Sequence, residues 1–188
     1  MVRYPKIWFL RHGQTEWNLE NRIQGRLNSD LTELGKSHAA MQARLMAPVI
    51  PQVLAAGGRI FVSPQGRALQ TARIALGDHP FATDERLAEI DTGEWEGRLR
   101  EEACSGHKGL EAYCAAPGGE GYHGIEARAR DFLEALTAPA ILVSHGILGQ
   151  VMRGITRGMG RAEMAELSNL QGVVYVLEKG RESVLGDG

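Results

Sequence analysis

The sequence has few cysteines, no excess of either charge and no long apolar run. Two cysteines, Cys104 and Cys114, occur in 188 residues, far fewer than a small secreted disulfide scaffold carries. Basic and acidic residues number 21 and 23, a net charge of −2, whereas a general nucleic-acid binder shows a basic excess. The N-terminal apolar run at 7–10 is too short for a signal peptide or a membrane span. We therefore expect a cytoplasmic protein whose partners include neither nucleic acid nor a membrane.

Apolar residues are plentiful enough for a buried core, and they occur in short runs. Hydrophobic residues make up 43% of the chain, an ordinary value for a globular protein. A length of 188 residues suits one domain, which we expect to cover residues 1–188. β-Branched and aromatic residues predict buried strands at 6–10, 59–63, 140–144 and 173–177, with a weaker fifth strand within 79–87.

Helical periodicity occurs between these strands. Leu34, His38, Met41 and Leu45 share one face of a helix predicted between residues 32 and 48. Further helices are predicted at 67–76, 125–136, 147–155 and 161–167, and the glycine-rich segment 114–124 is interpreted as a surface loop. Alternating strands and helices predict an α/β fold with a largely parallel sheet covered on both faces. Such sheets bind ligands at the carboxyl ends of their strands.

Charged and polar motifs follow three of the predicted strands. "RHG" at 11–13 follows the first strand, "SPQGR" at 63–67 the second and "HG" at 145–146 the third. In a parallel sheet these motifs share one edge, which then holds two arginines and two histidines with almost no acid. Arginine forks match phosphate or carboxylate, and helix N-termini near this edge also favour an anion. Each motif alone fits a polar turn, but the three together predict an anion site.

An acidic segment follows the weak fifth strand. "RLAEIDTGEWEG" at 86–97 contains Glu89, Asp91, Glu94 and Glu96. A solvated acidic loop explains most of these carboxylates. If the bound anion reacts, one of them has to approach the cationic cluster as a proton donor.

Four motifs together resemble a known family. "RHGQTEWN", "SPQGRALQTA", "LAEIDTGEWEG" and "VSHG" occur in this order and resemble the histidine phosphatase superfamily, also called the phosphoglycerate mutase-like family. The resemblance runs from about residue 6 to 155. It implies a three-layer α/β/α sandwich whose central sheet is mostly parallel with one antiparallel strand, and an enzyme that works through phosphohistidine.

The resemblance also implies roles for individual residues. His12 matches the nucleophile, and Glu89 matches the general acid and base. Arg11, Arg67 and His145 match residues of the phosphate pocket, and Asn18 matches a further phosphate donor. Gln24, Gly25 and Gly146 match residues on the substrate side. Gly121 stands where the family often has a serine that contacts substrate.

The implied chemistry needs no metal ion and no cofactor. A neutral His12 attacks phosphorus, while a backbone carbonyl, from Gly13 or the adjacent loop, holds the other ring nitrogen. Glu89 protonates the leaving alcohol and later deprotonates the attacking water. A further candidate is a zinc set formed by two cysteines and two histidines, at 104, 107, 114 and 123. Its spacing fits no common zinc pattern.

These inferences predict a metal-independent phosphomonoesterase that acts through phosphohistidine on a small phosphorylated metabolite. One alternative is a phosphoglycerate mutase, but mutases of this family carry a longer insertion before "SHG". Only the 47 residues at 98–144, expected to contain one helix, separate Gly97 from His145, which favours water as acceptor. The second alternative is a non-catalytic phospho-ligand binding domain. Substrate identity, oligomeric state and the roles of the cysteines stay open.

Overall fold

A six-stranded mixed sheet forms the centre of the molecule. The computed structural model describes residues 4–104 and 109–186. The strands are β1 (Ile7–Arg11), β2 (Arg59–Val62), β3 (Ala82–Thr83), β4 (Ala140–Ser144), β5 (Val174–Glu178) and β6 (Arg181–Leu185). Their spatial order is β3-β2-β4-β1-β5-β6. All five predicted strands are confirmed, and β6 is an addition.

The register of the parallel strands brings three strand ends to one edge. β4 pairs in parallel with β1, so that Arg11 lies opposite Ser144, and in parallel with β2, so that Val62 lies opposite Val143. β5 runs antiparallel to β1. The α/β fold with a mostly parallel sheet is therefore confirmed, and the motifs after β1, β2 and β4 emerge side by side.

The edge strand β6 was missed because its sequence is polar and largely exposed. β5 and β6 form an antiparallel hairpin in which Glu178 lies opposite Arg181. The turn residues Lys179 and Gly180 have φ of 52° and 74°. Two consecutive positive φ values are typical of a tight hairpin turn. The Lys-Gly pair directly after a buried strand was the available signal for this hairpin.

Helices cover both faces of the sheet in the described part of the chain. They are α1 (Glu16–Leu19), α2 (Glu33–Met46), α3 (Ile50–Ala55), α4 (Gly66–Leu76), α5 (Arg100–Ala103), α6 (Gly109–Cys114), α7 (Gly121–Glu134), α8 (Gly146–Arg157) and α9 (Arg161–Ala165). Phe9 and Leu142 pack with α7 and α8 on one face, while Leu10 and Val143 pack with α2 and α4 on the other. This alternation along each strand produces the expected three layers.

The face of α2 predicted from its apolar residues is only partly buried, with Leu45 packed against the core. Leu34 and Met41 are 51% and 38% exposed, and the buried side consists of Gly35, Ala39, Gln42 and Met46. A side chain at Gly35 would overlap the carbonyl oxygen of Gln14. The close approach of the backbones at Gly35 and Gln14 therefore decides which face of α2 points inward, and the number of apolar residues on a face does not.

Two expectations between the acid motif and β4 also need correction. The predicted loop 114–124 is shorter, because Cys114 ends α6 and Gly121 begins α7. The segment 98–144 contains α5, α6 and α7 instead of one helix. α5 and α6 have four and six residues, too few to display a helical period in the sequence. Across residues 4–104 and 109–186, no helix is both long and apolar enough to cross a membrane.

Candidate active site

A cleft of about 180 Å³ opens at the carboxyl ends of β1, β2 and β4. It is lined by Arg11, His12, Asn18, Gln24, Gly25, Arg67, Glu89, Arg100, Gly109, Tyr113, Gly146, Ile147, Gln150 and Asn169. All the site residues predicted from the sequence line this cleft except His145, whose ring lies 5.3 Å from that of His12. The structure thus brings the three strand ends and the acidic segment together.

His12 is buried, and its ring is fixed by its neighbour. His12 is 3% exposed, and its Nδ1 lies 2.7 Å from the carbonyl oxygen of Gly13. Because a carbonyl only accepts, Nδ1 carries the proton and Nε2 keeps its lone pair. Burial, followed by the charges of Arg67 and Arg11, holds the pKa of His12 well below 6.5. The ring is therefore neutral at pH 7, and the carbonyl expected to hold it is that of Gly13.

The backbone after β1 leaves no room for a side chain at Gly13. Its N–H donates to Oγ1 of Thr71 at 3.1 Å, and an added Cβ would overlap the carbonyl of Gly35. The N–H of His12 donates to the carbonyl of Ser144 at 3.0 Å. Glycine at position 13 thus allows β1, α2 and α4 to meet directly beneath the His12 ring.

Arg11 and Arg67 line the cleft, and neither forms an ion pair with a described carboxylate. Arg67 is 1% exposed, and it donates to the carbonyls of Leu27 at 2.6 Å and Gly25 at 2.9 Å. Arg11 donates to the carbonyl of Asn169. In the described chain, Nε of each arginine is buried without a partner. Burial lowers the pKa of Arg67 to about 10, so it stays charged at pH 7 and offers a positive charge to an anion.

His145 lies fully buried behind His12. Its Nε2 is 2.6 Å from the hydroxyl oxygen of Ser63, and its Nδ1 has no partner among the described residues. Burial, followed by the charges of Arg67 and His12, lowers the pKa of His145 well below 6.5. Both histidines are therefore neutral, and the positive charge near them comes from arginine.

Glu89 is held by backbone amides at the start of α8. Its Oε1 accepts from the N–H groups of Ile90 at 2.9 Å and Leu148 at 3.0 Å, and its Oε2 accepts from Ile147 at 3.1 Å. Each carboxylate oxygen has two lone pairs. Oε1 uses both of them, whereas Oε2 keeps one for a proton or a ligand.

The backbone on both sides of Glu89 is also anchored. Arg128 donates through Nη1 to the carbonyls of Arg86 at 2.8 Å and Ala88 at 2.6 Å. The N–H of Glu89 donates to Oε1 of Gln65 at 2.6 Å. The carboxylate therefore projects from a segment that α7 and the start of α4 hold in place.

The other three acidic residues of the segment do not line the cleft. Asp91 accepts from the N–H of Gly93 at 2.8 Å, and Glu96 accepts from the N–H of Arg26 at 2.6 Å. Glu94 is exposed. These carboxylates stabilise local backbone or contact solvent.

The loop that follows α1 forms one wall of the cleft. Gly25 has φ of 48°, and a side chain there would overlap the carboxylate of Glu96. Asn18 accepts through Oδ1 from the N–H of Thr15 at 3.2 Å and from Gln171 at 3.3 Å. Because its oxygen has these donors, the amide nitrogen of Asn18 is the donor left for the cleft.

Sequence reasoning missed several lining residues. They are Arg100, Gly109, Tyr113, Ile147, Gln150 and Asn169. Ile147 follows "SHG" directly, so its place was available from the motif. Arg100 and Tyr113 lie on the short helices α5 and α6, and the sequence shows no strand end that would place them.

Clustered metal ligands are absent from the described residues. Within residues 4–104 and 109–186, no three histidine, cysteine, aspartate or glutamate side chains are placed so that they could hold a metal ion. Cys104 and Cys114 are free thiols. His107, a member of the zinc set weighed above, lies outside the described residues.

Comparisons with known proteins agree on one family. The family model of the histidine phosphatase superfamily (branch 1) matches residues 7–185. The chain is 29% identical over 207 residues to a glucosyl-3-phosphoglycerate phosphatase of Mycolicibacterium vanbaalenii, covering 99% of this chain and 89% of that protein. It is 35% identical over 108 residues to a 2,3-bisphosphoglycerate-dependent phosphoglycerate mutase of Caulobacter vibrioides, covering 55% of this chain and 44% of that protein. A solved mycobacterial glucosyl-3-phosphoglycerate phosphatase complexed with VO3 superimposes with a TM-score of 0.79 and 27% identity, covering 97% of each chain.

Proposed function

The chain is a phosphatase of the histidine phosphatase superfamily, branch 1, and we propose that it hydrolyses a phosphomonoester of a small metabolite through phosphohistidine on His12. One observation carries this proposal: a neutral, buried His12 with a free lone pair stands beside two arginines whose Nε donors lack partners. A dianionic phosphate fits such donors. We call Arg11, His12, Arg67 and His145 the phosphate end of the cleft.

The substrate phosphate binds at the phosphate end to groups that other hydrogen bonds already hold in place. Arg11 and Arg67 donate to phosphate oxygens, and the amide nitrogen of Asn18 donates to another phosphate oxygen. When Ser63 donates to Nε2 of His145, Nδ1 of that ring carries a proton and becomes a further donor. The donors are fixed before the substrate binds, so little reorganisation accompanies the reaction.

Phosphoryl transfer then proceeds in two balanced steps. Nε2 of His12 attacks phosphorus, the P–N bond forms, and the P–O bond to the leaving alcohol breaks. Oε2 of Glu89 gives its proton to the leaving oxygen. In the second step Glu89 takes a proton from water, the water oxygen attacks phosphorus, and the P–N electron pair returns to His12. Positive charge comes from Arg11 and Arg67, so the proposal requires no metal ion.

The test is a rapid quench with ³²P-labelled substrate in the presence of EDTA. Wild type should carry label that survives alkali and is lost in acid, as a phosphoramidate does, and His12→Ala should carry none and lose turnover. His79→Ala, which removes an exposed histidine, should behave as wild type. Label that resists acid, or activity that EDTA removes and a divalent cation restores, would contradict the proposal.

A mutase remains the second candidate, because the Caulobacter mutase shares 35% identity over 108 residues. We favour water as the acceptor, since the phosphatase relative aligns over 99% of this chain and only 47 residues separate Gly97 from His145. An isotope-exchange assay between 2- and 3-phosphoglycerate, primed with the bisphosphate, discriminates the two. Exchange faster than phosphate release would favour the mutase, and neither activity would favour a non-catalytic phospho-ligand domain.

We also propose that the enzyme works in the cytoplasm on a soluble substrate. Its two cysteines are free thiols, which suits a reducing compartment. The near-balance of basic and acidic residues supports a small phosphomonoester as partner in place of nucleic acid or a membrane surface.

A further inference from the structure

The connecting segment, residues 167–171 between α9 and β5, reaches the phosphate end from outside the three parallel strands. Nε2 of Gln171 donates to the carbonyl of His12 at 3.0 Å and to Oδ1 of Asn18 at 3.3 Å. Gln171 is not among the described residues that line the cleft, whereas both of its partners are. Any effect of Gln171 on the reaction therefore has to pass through His12 or Asn18.

Buried side chains of α8 and β5 hold the connecting segment in place. Arg153 donates through Nη1 to the carbonyl of Ser168 at 2.6 Å, and the N–H of Leu170 donates to the hydroxyl oxygen of Tyr175 at 2.7 Å. The guanidinium of Arg153 lies 3.7 Å from the centroid of the Tyr175 ring, and it pairs with the carboxylate of Glu182 at 2.7 Å. The segment is therefore anchored to the core, and Gln171 extends from a fixed backbone.

Backbone groups at both ends of this hydrogen-bond chain determine how the two side-chain amides are turned. A carbonyl only accepts, so Gln171 turns its nitrogen towards His12, and the same nitrogen meets the oxygen of Asn18. The N–H of Thr15, which only donates, also meets this oxygen at 3.2 Å. Two donors thus hold Oδ1 of Asn18, and its Nδ2 is the amide atom left for the cleft.

The opposite orientation of the Asn18 amide would oppose phosphate binding. It would bring Nδ2 against the two donors and turn Oδ1, an acceptor, towards the phosphate oxygens. Thr15 and Gln171 each disfavour that orientation by one hydrogen bond. The loss of one such bond changes an equilibrium by about 2- to 10-fold.

We infer that Gln171 is a positioning residue, which holds the amide of Asn18 with its nitrogen towards the substrate phosphate. This inference rests on the proposed function, since it assumes that the phosphate end binds phosphate. It makes the connecting segment a part of the site, although no side chain of the segment other than Asn169 lines the cleft in the described chain.

Binding of inorganic phosphate, measured by calorimetry at pH 7.5, tests the role of Gln171. Gln171→Met and Gln171→Ala both remove the donor, so each should weaken phosphate binding about 2- to 10-fold and lower kcat/KM for p-nitrophenyl phosphate by a similar factor. A packing role would instead spare Gln171→Met, which fills the space. Leu170→Ala, which shortens a side chain that is 41% exposed on the same segment, should bind phosphate as wild type does.

A double-mutant cycle with Asn18 separates positioning from a general structural effect. In Asn18→Ala there is no amide to orient, so adding Gln171→Met should change the dissociation constant of phosphate by less than about 2-fold. A structural role would cost the same factor in wild type and in Asn18→Ala. Thermal melts of all variants establish that the proteins compared are folded.

The outcomes separate this inference from the proposed function. If folded Gln171→Met and Gln171→Ala bind phosphate as wild type does, or if Gln171→Met costs the same factor with and without Asn18, the positioning role is overturned while phosphatase activity stands. If wild type binds phosphate but hydrolyses no phosphomonoester, the proposed hydrolysis is wrong, and the binding cycle still decides the role of Gln171. If wild type binds no phosphate, both are overturned.

Discussion

The phosphate end of the cleft and its rim, formed by Arg100 and Tyr113, are held by different kinds of structure. His12, Arg67 and His145 are 3%, 1% and 0% exposed and follow the three parallel strands, whose ladders fix their positions. Arg100 lies on a helix of four residues and Tyr113 on one of six. The proposed chemistry is therefore built into the sheet, whereas the rim is built from short helices. Rim residues can change without disturbing the strands, which suits a fold that serves several substrates.

Gln65 connects Glu89 to the loop that follows α1. Its Nε2 donates to the carbonyls of Gly25 at 2.8 Å and Arg26 at 3.1 Å, and its Oε1 accepts from the N–H of Glu89. One amide thus fixes the distance between Glu89 and this loop, which Arg67 also contacts at Leu27 and Gly25.

Replacing Glu89 should give the largest effect among the variants that test this comparison. Glu89→Gln should lose about 10²- to 10⁴-fold in the phosphorylation step on an alkyl phosphate, because an alkoxide needs a proton in the transition state. The loss on p-nitrophenyl phosphate should be clearly smaller, since the phenolate is a weak base. Single-turnover rates on the two esters measure this difference.

The control for Glu89 is the exposed carboxylate of the same segment. Glu94→Gln should leave both rates as in wild type. Because glutamine cannot accept all three amide hydrogen bonds of Glu89 as a carboxylate does, a thermal melt of the variant has to accompany the kinetics. Equal losses on both esters in a folded variant would show that a group other than Glu89 donates the proton to the leaving oxygen.

Replacing Arg67 should lower kcat/KM for every substrate by a similar factor. Arg67→Met removes a fixed donor to the phosphate, and such a loss costs about 10²- to 10³-fold. kcat/KM should fall by a similar factor for 3-phosphoglycerate and for glycerol 3-phosphate, because the two esters carry the same phosphate group. Arg67→Lys, which keeps the charge but loses the contacts to Leu27 and Gly25, should recover part of the activity. Losses that differ between the two esters would show that Arg67 also contacts the alcohol part of the substrate.

The sequence predicted the phosphate end better than the rim for a physical reason. A parallel sheet brings its strand ends together whatever the loops do, so His12, Arg67 and His145 could be placed from their strands alone. The face of α2 could not, because it depends on the close approach of Gly13 and Gly35, which no hydrophobic period encodes. Arg100 was missed because its position depends on how the loop after α1 pairs with α5.

The burial of His12 and His145 should also make the fold sensitive to acid, and this is the smallest of the expected effects. The pKa of His12 and of His145 is held well below 6.5, first by burial and then by the charge of Arg67. As pH falls below 6.5, these histidines gain protons in the unfolded chain but not in the folded one. The free energy of unfolding should therefore decrease as pH falls, by up to about 1.4 kcal/mol per pH unit for each ring.

Urea denaturation at pH 7.5, 6.5 and 5.5 measures this loss of stability. His145→Asn removes one of the two rings, so its free energy of unfolding should fall less between pH 6.5 and 5.5 than that of wild type. Carboxylates titrate in both proteins, and comparing the two slopes cancels most of their contribution. His79→Asn, at an exposed position, should keep the wild-type slope. If His145→Asn also keeps it, burial does not hold His145 neutral, and the charge of the phosphate end is not carried by its arginines alone.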